Sequence, residues 1–249
     1  RPPSDFGSDE GWREPFGRLV RSLREEADLN PLGLAMAHGQ IVMLLRARMR
    51  AAKLWRAHPE IFERPLAPPI VVIGQMRSGT TRMQRLLACD RRLAHTRAFE
   101  SLTPVPMPAR KLRARFVLAT LRALNSETLR IHPTAAGEPD EEFGWLAFRF
   151  GAAQFEAQWR VPAFARWWEQ ADKRPLYREF KALLRTNARA RRADPARPRI
   201  LKAPSYLDDL PALLDAFPGA RLVRLERDPA KVVASSASLV WNQMRIQSD

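Results

Sequence analysis

The stretch that most limits what this chain can fold into is Ile70-Val71-Val72-Ile73-Gly74-Gln75-Met76-Arg77-Ser78-Gly79-Thr80-Thr81-Arg82-Met83-Gln84-Arg85-Leu86-Leu87. An uninterrupted run of β-branched residues ended by glycine predicts a strand buried on both faces, as in a parallel sheet. From Thr80 onward Met83, Leu86 and Leu87 recur at helical spacing, so the intervening loop opens onto a helix N-terminus whose first backbone N–H groups lack partners inside the helix. That arrangement is an anion cradle. The Gly74-to-Gly79 spacing is that of the nucleotide-binding P-loop, G-x-x-x-x-G-K-[ST], but Thr80 stands where the lysine belongs. Kinases and NTPases use that lysine on the β- and γ-phosphates and the next hydroxyl on Mg²⁺. Here the cation is Arg77, inside the loop, and the hydroxyls of Thr80 and Thr81 open the helix, which suits an anhydride other than a triphosphate. The bland alternative is a strand–turn–helix corner with no ligand.

At 249 residues there is material for one sizeable α/β core with an added helical segment. Residues 1–68 carry no strand pattern. Leu19, Leu23 and Ala27 have helical spacing, and beyond the break at Asn30-Pro31-Leu32-Gly33 the spacing continues through Ile41, Leu44, Leu45, Met49 and Leu54. The proline-rich entry Arg64–Pro69 puts the boundary between this helical N-terminal segment (1–68) and the core (69–249). Downstream, the pattern predicts a short strand ending near Phe99, a helix over 114–129 and a helical, aromatic-rich stretch over 143–168. The tryptophans and phenylalanines of that stretch read as packing, with the lining of an apolar acceptor pocket as a second option. A helix over 176–190, a short buried strand over 199–203, an amphipathic segment over 206–217 and a strand over 220–226 follow. The last helix begins at Pro229 with Asp228 as its N-cap. Strands alternating with helices through short connections imply a central parallel sheet flanked by helices.

A net charge of +15 raises nucleic acid or an anionic membrane as partners. There is no groove-reading motif and no aromatic-interleaved basic ladder, so specific nucleic-acid binding is not expected; a basic surface that draws in a polyanionic cofactor accounts for the charge. No apolar run is long enough to cross a bilayer, and the polar start has no signal-peptide pattern. With no Met at position 1, the N-terminus reads as trimmed. The single cysteine, Cys89, excludes an internal disulfide and suits a reducing, cytoplasmic compartment; it is expected to be packed rather than reactive.

A second segment, Arg227-Asp228-Pro229-Ala230-Lys231-Val232-Val233-Ala234-Ser235-Ser236, turns the P-loop reading into a family. Arg-Ser-Gly-Thr-Thr after a buried strand, followed far downstream by Arg-Asp-Pro and a serine on the next helix, resembles the sulfotransferases that use 3′-phosphoadenosine 5′-phosphosulfate (PAPS). Leu201-Lys202-Ala203-Pro204 is similar to a segment of their bacterial branch, as are His132-Pro133 and the acidic run from Glu138 to Glu142. The resemblance implies a P-loop NTPase-like α/β fold. It also implies sulfuryl transfer from PAPS, without a metal, to a hydroxyl or amine on a small molecule, glycan, lipid or peptide, leaving 3′-phosphoadenosine 5′-phosphate (PAP).

By that resemblance Arg77, Ser78, Gly79, Thr80 and Thr81 hold the 5′-phosphate end, and Arg227 and Ser235 bind the 3′-phosphate. Arg77 and Lys202 stabilise charge on the transferring group and the departing oxygen. Glu100 occupies the place of a catalytic glutamate in tyrosylprotein sulfotransferases, with His132 as the next candidate base. The carboxylates of the acidic run read as a solvated face, or as one that orients the acceptor. Relatives of this type continue further, with a late glycine-rich basic loop that has no counterpart here, so the core is expected to lack its C-terminal part. A P-loop kinase or NTPase, disfavoured by the missing lysine, and a non-catalytic PAP- or nucleic-acid-binding module are the alternatives.

Overall fold

The computed structural model describes residues 5–7, 9–125, 127 and 133–248. Two helices come first, α1 (Arg13–Glu25) and α2 (Pro31–Ala57). The second starts where the sequence breaks the first: the Asn30 side chain accepts a hydrogen bond from the Gly33 amide at 2.9 Å, and Pro31, which has no N–H to satisfy, takes the first helical position. The core then runs β1 (Ile70–Ile73), α3 (Thr80–Ala88), β2 (Ala94–His95), α4 (Ala98–Leu102), α5 (Arg110–Leu124) and α6 (Phe143–Leu146). It continues through α7 (Gln154–Gln158), α8 (Pro162–Gln170), α9 (Arg174–Ala190), β3 (Arg199–Lys202), α10 (Leu210–Ala216), β4 (Arg221–Arg224) and α11 (Pro229–Met244).

Among the described residues the strands form one sheet in the order β2-β3-β1-β4, with every neighbouring pair parallel. Val71 of β1 lies between Leu201 of β3 and Leu222 of β4. Val71, Val72, Ile200 and Leu201 are fully buried, as expected of central parallel strands covered on both faces, whereas edge strand β4 is largely exposed. The N-terminal helices share the core with the sheet: Leu19, Leu44 and Ala51 belong to the same buried cluster as Val71, Leu201, Trp145 and Phe180. All strand C-terminal ends therefore open on one edge, where the β1–α3 loop lies.

Several local expectations need correction. The strand expected to reach Phe99 ends at His95, because the Glu100 carboxylate accepts a hydrogen bond from the Arg97 amide at 3.0 Å and starts a helix there. The aromatic-rich stretch over 143–168 is three short helices, interrupted where Phe150 takes a left-handed backbone (φ +60°) and again before Pro162. Its Trp145, Phe148, Phe155 and Trp159 are buried in the main core, in keeping with packing. Cys89, expected to be packed, is exposed at the end of α3. His132 lies outside the described residues.

Helices α4 and α6 touch backbone to backbone at Gly144, where a Cβ would stand 1.8 Å from the Ser101 carbonyl oxygen. No side-chain rotation relieves such a clash. Gly144→Ala is expected to lower the unfolding free energy by about 1–3 kcal/mol, read as a drop in the denaturant midpoint at unchanged slope.

Candidate active site

The loop from β1 to α3 is shaped by two glycines and one strained arginine. At Gly74 (φ +154°) a Cβ would come within 2.7 Å of the Leu225 carbonyl oxygen and 2.8 Å of Ser78 Oγ, so only glycine lets the chain leave the strand this tightly. Arg77 (φ +71°) and Gly79 (φ +99°) are left-handed. For arginine that conformation costs on the order of 1 kcal/mol or more and persists only where surrounding bonds hold it. At Gly79 a Cβ would meet nothing nearer than Leu225 Cδ2 at 3.9 Å, so the backbone there is bare and faces open space beside the first turn of α3.

The bonds that hold the loop come from the distant second segment. Arg227 Nη1 donates to the Arg77 carbonyl at 2.8 Å, Arg77 Nε donates to Ser235 Oγ at 3.0 Å, and Ser236 Oγ donates to the Met76 carbonyl at 3.3 Å. Asp228 caps α11 by accepting from the Ala230 amide at 2.9 Å, with Pro229 behind it. Both halves of the sequence pattern thus meet at one helix N-terminus. Ser78 acts within the loop: its hydroxyl donates to the Gln75 carbonyl at 2.7 Å and its amide to the same oxygen at 3.1 Å. Thr80 is buried at the start of α3. Thr81 faces β3, where its hydroxyl oxygen accepts from Lys202 Nζ at 3.0 Å and keeps its own proton to donate.

Lys202 ends β3 with only 2% of its surface exposed. Its ammonium is paired with the Glu141 carboxylate, and its backbone N–H donates to Glu142 Oε2 at 2.8 Å. Burial pulls its pKa below the ordinary lysine value; Asp140 opposes this, while Arg85 and Arg77 add to it. Glu142, also buried, accepts a second bond from the Tyr206 hydroxyl at 2.9 Å. While Glu138 is exposed, the end of the acidic run, Glu141 and Glu142, is therefore buried rather than a solvated face. It is drawn in by Gln84, which donates to the Asp140 carbonyl at 3.0 Å, and by the Asp140 amide, which donates to the Thr96 carbonyl at 3.0 Å. Sequence reasoning left Glu141 and Glu142 among surface charges; the usable signal was their position directly before an aromatic helical stretch that had to be buried.

Glu100 sits in a buried cluster of arginines. It is 0% exposed, and both oxygens are engaged: Arg191 binds the two together, with Nε at 2.6 Å from Oε1, Arg110 Nη2 donates to Oε1 at 3.2 Å, and the Arg97 amide donates to Oε2. Two guanidinium groups and a backbone amide enclose this carboxylate, which has no exposed surface. In this arrangement it joins α4, α5 and α9. A cavity of about 720 Å³ lies elsewhere, lined by Trp168, Glu156, Lys173, Asp208 and Asp209, and none of the loop residues borders it. Among the described residues no cluster of His, Cys, Asp or Glu could hold a metal ion.

Comparison with known proteins places this geometry in context. Residues 68–248 match the model of a family described as the sulfotransferase family. Omega-hydroxy-beta-dihydromenaquinone-9 sulfotransferase Stf3 from Mycobacterium bovis and from Mycobacterium tuberculosis is 27% identical over 186 residues. That match takes in 69% of this chain and 45% of each relative, so the chain spans less than half the length of these curated relatives. The crystal structure of sulfotransferase STF1 from Mycobacterium tuberculosis superposes with a TM-score of 0.81 at 28% identity, over 99% of this chain and 69% of that one. Sulfotransferase STF9 from Mycobacterium avium shares the fold, with a TM-score of 0.79 at 23% identity over 97% of this chain and 64% of its own.

Burial also shifts Glu142, pushing its carboxyl from the ordinary 4.5 up to about 7 against the opposing bonds from the Lys202 amide, Thr96 and Tyr206. The folded state thus binds this proton more tightly than the unfolded chain. Stability that Glu142 supports below pH 4.5 is lost as pH rises towards 7, by on the order of 3 kcal/mol. Glu142→Gln keeps an acceptor oxygen for Lys202 and Tyr206 and is expected to remove that part of the pH dependence, raising stability at neutral pH; denaturant titrations at pH 5 and pH 8 measure it.

Proposed function

With residues 68–248 matched, the chain belongs to the sulfotransferase family, and we propose that it transfers a sulfuryl group from PAPS to an acceptor hydroxyl or amine. One observation carries the reading: two segments 150 residues apart lock onto each other at a bare helix N-terminus, the Arg227 guanidinium on the Arg77 carbonyl and the Arg77 side chain on Ser235. A helix start with left-handed residues beside it and arginines on either side suits a ligand with two separate anionic groups. The absence of the P-loop lysine argues against a triphosphate in the same place.

The residues present fit such a donor. The amides at the start of α3, with the hydroxyls of Thr80 and Thr81, would hold the 5′-phosphate, and Arg227 with Ser235 the 3′-phosphate. When bound, PAPS supplies the activated sulfuryl group and, in PAP, the leaving group. Arg77 and Lys202 place positive charge where negative charge grows during transfer, and Thr81 fixes the direction of the Lys202 ammonium. Held beside that ammonium at the site, Glu141 is the carboxylate positioned to receive the acceptor proton. Glu100 serves instead as the anchor of its arginine clamp. Stf3, by its name, acts on the hydroxyl of an omega-hydroxy menaquinone derivative, which supports a hydroxyl-bearing small molecule as the acceptor class.

Calorimetric titration with PAP, in the presence of EDTA, tests the donor site against ATP-Mg²⁺. PAP is expected to bind, and Arg227→Ala to weaken it roughly 10- to 100-fold, the range for a charge-assisted hydrogen bond. Binding of ATP-Mg²⁺ alone would support a kinase instead. The two carboxylates separate in turnover: Glu141→Gln is expected to keep PAP binding and lose roughly 10²- to 10⁴-fold in kcat. Glu100→Gln is expected to lower the melting temperature while sparing kcat per folded molecule. The reverse pattern would return the role of base to Glu100.

A further inference from the structure

Helix α5 presents part of its apolar surface outward. Ala114 is fully buried and Leu118 packs with it against Phe99. On the opposite side, at helical spacing, stand Leu112, Phe116, Ala119 and Ala123, with Leu112 66% and Phe116 74% exposed. At 100° per residue these four span a narrow stripe centred directly away from Ala114. Lys111, Arg115 and Arg122 flank the stripe on one side and Arg113 on the other. The helix has no acidic residue from Arg110 to Leu124.

The charge around it is uncompensated. Among the described residues no carboxylate pairs with Lys111, Arg113, Arg115 or Arg122. The basic surface continues onto α2, where burial lowers the pKa of Arg50 and the nearby charges of Arg113 and Arg46 add to it. Like charges gathered around an outward apolar stripe are unfavourable unless something anionic and apolar covers both. Nucleic acid would answer the charge and leave Phe116 in water. An anionic lipid surface answers both, with acyl chains for the stripe and headgroups for the flanking cations. Among the described residues no helix is long and apolar enough to cross a membrane, so the geometry is that of a helix lying on the surface, roughly 22 Å long.

We propose that α5 docks this protein onto an anionic bilayer, with Leu112 and Phe116 in the acyl boundary and Lys111, Arg113, Arg115 and Arg122 among the headgroups. The proposal goes beyond sulfuryl transfer and does not depend on it. Structurally the surface is joined to the candidate site: Arg110, at the start of α5, holds Glu100, and the Ala98 and Phe99 amides of α4 bond to the Glu138 and Ala136 carbonyls, in the segment that leads to Glu141.

Flotation of the purified chain with phosphatidylcholine vesicles, with and without a minority of phosphatidylglycerol, tests it. The chain is expected to float with the phosphatidylglycerol vesicles only, and less so as salt rises. Leu112→Ser combined with Phe116→Ser is expected to reduce the bound fraction about tenfold or more, and Arg113→Glu with Arg115→Glu to abolish it. These side chains are exposed, so the variants should keep the wild-type melting curve by circular dichroism, and that curve separates loss of docking from loss of fold. PAP titration of the same variants keeps the outcome distinct from any failure of the donor-site reading. No flotation, or flotation that survives the Leu112/Phe116 change, would overturn the proposal. So would self-association or retention on RNA that these substitutions remove while vesicles bind nothing.

Discussion

A cation taken out of water at the carboxyl end of the central sheet organises the site. Lys202 closes β3 almost without exposure, and a buried ammonium is tolerated only when a carboxylate and further hydrogen bonds replace its hydration. Glu141 and Thr81 supply those partners, one from the acidic run and one from α3. Next to it, Glu142 bonds the Lys202 amide and the Tyr206 hydroxyl. Truncating Glu141 would leave the Lys202 ammonium buried without its carboxylate, at a cost of about 3–5 kcal/mol. The same requirement fixes the position of the acidic run, and so brings a carboxylate to the mouth of the anion cradle.

The cradle itself is a compromise between strain and support. Arg77 is held left-handed, which turns its backbone towards the helix start, and the conformation persists because Arg227 and Ser236 bond the carbonyls on either side of the turn. The side chain of Arg77 then reaches Ser235. The arginines are consequently of two kinds. Arg77 of the loop and Arg227, just before α11, stand at an open helix end, whereas Arg110 and Arg191 close around Glu100 and tie three helices together. In one buried setting a carboxylate is locked by guanidinium groups; in the other it pairs with the Lys202 ammonium.

Much of the fold was legible because it rests on neighbours along the chain. The β-branched run from Ile70 to Ile73 became a buried parallel strand, the glycine-bracketed loop led to a helix at Thr80, and Asp228-Pro229 capped and began α11. Asn30-Pro31 separated the first two helices as expected. Elements whose state depends on distant partners were read less well. Phe99 joined a helix because a single carboxylate bonded back to the Arg97 amide. The aromatic stretch broke into short helices to fill a core built from both ends of the chain, and Cys89 was left exposed.

By itself the sequence determined the strand, the turn and the helix start that make an anion cradle, since backbone sterics and orphan N–H groups are properties of a few consecutive residues. It also named the arginines, the serine and the lysine that surround that cradle. Only the tertiary structure decided which charges meet. Glu100 and Glu141 are the same type of group in similarly polar stretches, yet one is enclosed by Arg110 and Arg191 and the other faces Lys202. The reason is that a carboxylate's hydration and partners are set by whatever segments pack over it, and those segments lie tens of residues away. Burial carried Glu141 and Glu142 from an expected surface charge run to the side of Lys202, and the same packing left the apolar stripe of α5 facing outward.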